Sequence, residues 1–94
     1  MTSISNLPPD VRTDITARLK RIEGQARGIQ KMLDDGRDCS EVLNQVAAVK
    51  AATNALSAAM LQAFALHCFR NTDQFNNPEE AVSEAVRALV RAGR

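Results

Sequence analysis

The chain has no tyrosine and no tryptophan, and only three phenylalanines among its 94 residues. Rings usually fill a compact core, so their scarcity argues against a core closed within one chain. Alanine stands in for them with 15 copies, and small side chains suit long helices packed closely together. No run of 18 or more apolar residues occurs, which excludes a membrane-spanning helix. The first ten residues have no basic start and no apolar stretch, so a cytoplasmic protein without a secretory leader is expected. Two cysteines are too few for a disulfide scaffold. In a cytosolic chain they are inert filler, a metal site or a redox site. The single histidine cannot complete a four-ligand zinc site with them inside one chain. No glycine-rich phosphate loop, HExxH or GxSxG motif is present, so no enzymatic activity is expected.

The chain does contain a local charge. The net charge is only +1, but residues 18–31 hold Arg18, Lys20, Arg21, Arg27 and Lys31 against one acid, Glu23. A basic element inside a near-neutral protein points to a localised anionic partner. The structural alternative is a solvated helix face.

Three helices and one domain over residues 1–94 are expected, with residues 1–8 as a flexible lead. Pro8 and Pro9 open the first helix, about 9–35. Its apolar residues recur at Val11, Ile15, Leu19, Ile22, Ala26, Ile29 and Leu33, steps of four and three that make a heptad stripe. Gly36 is the expected left-handed cap. Asp38 starts the second helix, about 39–70, and forms a capping-box-like pair with Glu41. Val42, Val46, Val49, Thr53, Leu56, Met60, Ala63 and His67 form its stripe, with alanines on the flanks. Residues 71–77 read as a loop. Asn77, Pro78, Glu79 and Glu80 start the third helix, about 78–92, which Gly93 ends. Its buried stripe is expected at Val82, Ala85, Val86, Leu89 and Val90. Two long helices and a short one cannot wrap a core alone, and the second is small or apolar nearly all round. A second copy is the economical cover, so an antiparallel dimer with a four-helix core is predicted, with a higher even oligomer built from it.

Cys39 and Cys68 are 29 residues apart, about eight turns, so both sulfurs lie on one face of the second helix. They are also about 43 Å apart along it and cannot meet within an intact helix. An antiparallel twin would set Cys39 of one chain beside Cys68 of the other, making two equivalent sites. Cys39 sits at a helix N-terminus, where free N–H groups and the dipole favour a thiolate. Cys68 sits near a C-terminus, which favours the neutral thiol, with His67 and Arg70 nearby to offset that. The pair reads equally as an attacking and a resolving thiol, or as part of a soft-metal site. His67 reads as a core histidine or as a ligand.

The run Arg18-Leu19-Lys20-Arg21-Ile22-Glu23-Gly24-Gln25, with Cys39 eighteen residues after Arg21, resembles the copper-sensing operon repressor family. The likeness continues through residues 39–43 and 45–50 to His67-Cys68, and covers roughly residues 12–92. It implies a disc-shaped homotetramer, a dimer of dimers, that represses transcription without a helix-turn-helix. Operator DNA would lie on a face made largely from the first helices, and a small inducer at the inter-subunit cysteines would release it. Lys20, Arg27 and Lys31 fall within about 40° of one another, opposite the apolar stripe, with Arg18 and Arg21 flanking it. Gln25 is a candidate for a phosphate or a base edge. Lys50 matches a basic position of the family. Gly24 and Gly28 are costly in a helix interior, and close approach by a helix or by phosphates would account for them.

In the copper-sensing branch the resemblance implies a Cu(I) site from a Cys, a His 25 residues on and a Cys 29 residues on, the last two from the partner chain. Those positions here are Cys39, Phe64 and Cys68, and phenylalanine binds no metal. Behind the missing ligand Glu84 matches the family pattern, whereas Asp38 departs from a Tyr. The nickel/cobalt branch needs more histidines, and the formaldehyde branch resembles this chain at the first Cys only. Two outer cysteines without the central His are similar to the persulfide-sensing branch, where a reactive sulfur species joins the pair. The resemblance therefore implies a repressor without a cofactor that responds to sulfane sulfur through Cys39 and Cys68. The alternative is a Cu(I)-responsive repressor using Cys39, Cys68 and His67.

Overall fold

The computed structural model describes residues 2–71 and 77–92. It contains three helices and no strand among those residues: α1 (Pro9–Asp34), α2 (Cys39–Arg70) and α3 (Pro78–Ala92). The helix bounds agree with the sequence expectation, because each end is fixed by local chemistry. Pro9 occupies the first turn of α1. At the other end Arg37 N–H reaches Met32 O at 3.0 Å and Gly36 N–H reaches Leu33 O at 3.2 Å. That pair of bonds is a Schellman closure, and Gly36 supplies its φ of +66°. Asp38 caps α2 by accepting from Ser40 N–H at 3.2 Å. The reciprocal half of the expected capping box is absent, because Glu41 pairs with Arg37 instead. Asn77 caps α3, its Oδ1 accepting from Glu80 N–H at 2.8 Å. The expected roles of residues 72–76 and Gly93 lie outside the described residues.

The lead into α1 carries local order. Ser3 and Asn6 cap a short 3-10 turn at Ile4–Asn6, and Leu7 is buried.

The four-residue link between α1 and α2 folds them into an antiparallel hairpin, and α3 packs on the C-terminal half of α2. The result is long and thin, 57 × 26 × 15 Å. Its radius of gyration is 17.4 Å, against about 12 Å for a compact domain of this length. Its surface is 6904 Å², roughly 1600 Å² more than a compact protein of this mass exposes.

Large apolar side chains are among those exposed, and their placement corrects two sequence expectations. α1 turns Val11, Ile15, Arg18, Ile22, Gln25, Ile29 and Met32 inward, while Leu19 and Leu33 stay 50% and 63% exposed. Both sets obey four-three spacing and share their isoleucines, so α1 has two adjacent apolar seams and α2 covers only one. On α3 the buried residues are Ala81 and Ala85, and Val82, Val86, Leu89 and Val90 remain exposed. Small residues let α3 sit close to α2, and its larger side chains face away.

Gly36→Ala tests the turn. A Cβ at that position would meet nothing within 4 Å, so the cost is purely conformational, about 1–2 kcal/mol. The melting temperature is expected to fall by about 5–10 °C in a thermal unfolding scan.

Candidate functional site

The two cysteines stand at opposite ends of α2, on the same helix face. Cys39 is its first residue and is exposed. Cys68 lies in the last turn and is 0% exposed. No group of three or more His, Cys, Asp or Glu side chains able to hold a metal exists within the chain among the described residues. The separation inferred from sequence follows from α2 itself, which runs unbroken between the two cysteines and holds their sulfurs apart within one chain.

Cys68 sits under α3. Burial pushes its thiol above the ordinary value of 9.0, and the Glu84 carboxylate raises it further. The helix C-terminus invoked from sequence is not what dominates. Because the raised group is neutral in the folded state, its stabilising contribution is complete below the ordinary thiol range and is lost as pH climbs through the raised value. An alkylating reagent at pH 8 is expected to label Cys39 ahead of Cys68 by about tenfold or more, as the thiolate is the reactive form. Glu84→Gln should quicken the second label and leave the first unchanged, read by intact mass over time.

His67 is buried on the side of α2 that faces α1. Its Nδ1 lies 3.2 Å from Asn71 Nδ2, and with Asp14, Arg18 and Arg70 it lines a recess of about 390 Å³. Cys68 is not part of that recess. The position where the resemblance implies a ligand is Phe64, which lines a different, apolar groove of about 600 Å³ with Ile15, Leu56, Met60 and Ala88. Phe64, His67 and Glu84 thus face three different surroundings, and only Glu84 acts on a cysteine.

The basic residues divide in the same way. Lys20, Arg21, Lys31 and Lys50 are exposed and have no ion pair among the described residues. Arg27 is exposed but paired with Glu23. Arg18 is half-buried, and its Nε donates to Asp14 Oδ2 at 3.0 Å. Gln25 turns inward on α1, and its Oε1 is buried with no hydrogen-bond partner among the described residues. A Cβ on Gly24 or Gly28 would meet nothing within 4 Å, so no contact among the described residues requires those glycines.

The chain is thus an all-helical hairpin with exposed cations on its first helix and two thiols held apart at the ends of its second. The metal-sensitive transcriptional repressor family matches residues 11–91. The copper-sensing transcriptional repressor CsoR of Bacillus subtilis (strain 168) is 42% identical over 73 residues, 78% of this chain and 72% of that protein. The nickel-responsive transcriptional regulator InrS superposes with a TM-score of 0.77 at 35% identity, covering 85% of this chain and 90% of that one. The copper-sensing repressor CsoR with Cu(I) from Geobacillus thermodenitrificans NG80-2 gives 0.74 at 34% identity, covering 87% and 85%. The chain belongs to the metal-sensitive transcriptional repressors. The expectation of no cofactor is thereby corrected: the family is described as metal-sensitive, and the relatives it matches are copper-sensing and nickel-responsive regulators. No described helix is long and apolar enough to cross a membrane.

Proposed function

We propose that this protein is a Cu(I)-responsive repressor working as a symmetric homotetramer, with each site formed by Cys39 of one subunit and Cys68 of the partner subunit. The observation that carries the proposal is the placement of two in-phase thiols at opposite ends of one 32-residue helix. Only an oppositely directed twin brings such ends together. The donor set fits the metal, because thiolates select soft Cu(I) whereas nickel sites favour nitrogen and oxygen in tetragonal geometry. The copper-sensing relative supports the same choice. His67 is turned toward α1 and held by Asn71, so the two sulfurs carry the site. Copper bound there would supply a bridge between subunits. Cys39 follows directly on the turn that ends α1, so tension on its sulfur acts on the helix that carries the exposed cations. The excess surface is about twice what one standard interface removes from a partner, as a dimer of dimers requires.

Reduced protein titrated with Cu(I) against a colorimetric chelator, while anisotropy follows a duplex from upstream of its own gene, tests this. The expected result is one Cu(I) per chain and DNA release at the same ratio, with Ni(II) inert. Absence of salt-sensitive DNA binding would overturn the repressor mechanism, and release without stoichiometric copper would overturn the site.

The same pair offers a thiol-redox input, favoured by Phe64 at the ligand position. Cys39 thiolate would attack the outer sulfur of a persulfide, releasing the thiol and leaving a Cys39 persulfide. Cys68 of the partner subunit would then displace hydrogen sulfide and close a disulfide. A cross-linked dimer after persulfide treatment, dependent on both cysteines, is its signature by intact mass.

A further inference from the structure

The outer face of α1 holds a recess of about 400 Å³ lined by Arg12, Thr13, Thr16, Ala17 and Lys20. These positions share one side of the helix. Arg12 and Lys20 stand at its ends, about 12 Å apart along the axis, and Ala17 keeps the floor low. Neither cation has an ion pair among the described residues, because the nearby Asp14 is turned to Arg18. Thr13 donates its hydroxyl to Pro9 O at 3.1 Å. Thr16 is exposed, and its hydroxyl has no hydrogen-bond partner among the described residues. Two cationic heads and one unengaged hydroxyl form a set of donors without a competing acid. Such a set matches an anion with several acceptor oxygens, as a phosphate is.

We infer that Arg12, Thr16 and Lys20 form a cradle for a DNA backbone phosphate, extending the DNA surface of α1 about two turns toward its N-terminus. The inference rests on the repressor reading above. Neither Arg12 nor Thr16 lies in the basic cluster of residues 18–31. The cradle continues a single ridge, since residues 12, 16, 20, 27 and 31 fall within about 100° of arc, opposite the isoleucines that pack on α2. From Arg12 to Lys31 the ridge runs about 28 Å, along which a duplex carries one charge per ~1.7 Å of axis. Arg18 contributes less than its place in the motif implies, because Asp14 neutralises it within the chain.

Anisotropy titrations from low to high salt, on the upstream duplex and on an unrelated one, test the cradle. For each cradle that meets DNA, Arg12→Ala should lower the slope of log K against log salt by about 0.9 and weaken binding about fivefold at 0.15 M salt. Both duplexes should lose equally, since a phosphate contact carries no sequence information. Thr16→Val should weaken binding about twofold to tenfold with the slope unchanged, since a neutral donor releases no counterion. Arg37→Gln, an equal loss of charge at the α1–α2 turn, should change neither. Helicity by circular dichroism confirms that each variant folds. If unsubstituted protein binds with a steep slope and Arg12→Ala matches it, the cradle falls and the repressor reading stands. Loss on the upstream duplex alone would make Arg12 a base reader and overturn the phosphate assignment. Failure of the unsubstituted protein to bind either duplex overturns both.

Discussion

An equimolar mixture of Cys39→Ala and Cys68→Ala proteins, unfolded and refolded together, is expected to bind about a quarter of the Cu(I) taken up by the unsubstituted protein. Each variant alone should bind none at that affinity. The fraction follows from two-fold symmetry, in which each patch meets its own copy in reverse. Random pairing makes about half the dimers mixed. In a mixed dimer one site has lost both sulfurs and the other has kept both. Chelator competition on the mixture reads the recovery directly. The same quarter is expected of persulfide cross-links, so the experiment tests the geometry apart from the identity of the inducer. Zero recovery would mean that Cys39 and Cys68 never face each other across subunits. Tight stoichiometric copper on either variant alone would mean that other donors hold it.

The placement of the two thiols along α2 was legible because it depends only on periodicity. Helical rise and turn put Cys39 and Cys68 in phase and far apart, and the structure keeps α2 unbroken between them. Helix ends were legible for a similar reason: Pro9, Gly36, Asp38 and Asn77 act within a few residues of themselves. The faces were not. On α1, Leu19/Ala26/Leu33 and Arg18/Gln25/Met32 satisfy the same heptad spacing, and the choice depends on which neighbour arrives. On α3 the larger valines and Leu89 looked like the buried stripe by size, but the residues buried there are Ala81 and Ala85. The raised thiol of Cys68 depends on α3 folding over it and on Glu84, which is a tertiary fact. Arg12 escaped notice because it precedes the dense cluster, and only its position on the Lys20–Lys31 meridian connects them.

Leu43→Asp should abolish assembly, and with it copper and DNA binding. In the isolated chain Leu43 is 66% exposed, and a substitution there would normally change stability by no more than about 0.5 kcal/mol. The expectation is different because Leu43 belongs to the uncovered apolar surface that includes Leu19, Leu33 and Val46. An assembly that buries this surface would bury two unpaired carboxylates per symmetric interface, each costing about 3 kcal/mol or more. At about 4–8 °C per kcal/mol, the melting temperature should drop by about 15 °C or more. Sedimentation equilibrium should show a tetramer for the unsubstituted protein and a monomer for the variant. The unsubstituted protein should melt at a temperature that rises with its own concentration, as mass action requires when folding and association are linked. A concentration-independent transition that Leu43→Asp leaves in place would show that the chain is stable alone, and two sulfurs about 43 Å apart would then have no means of meeting.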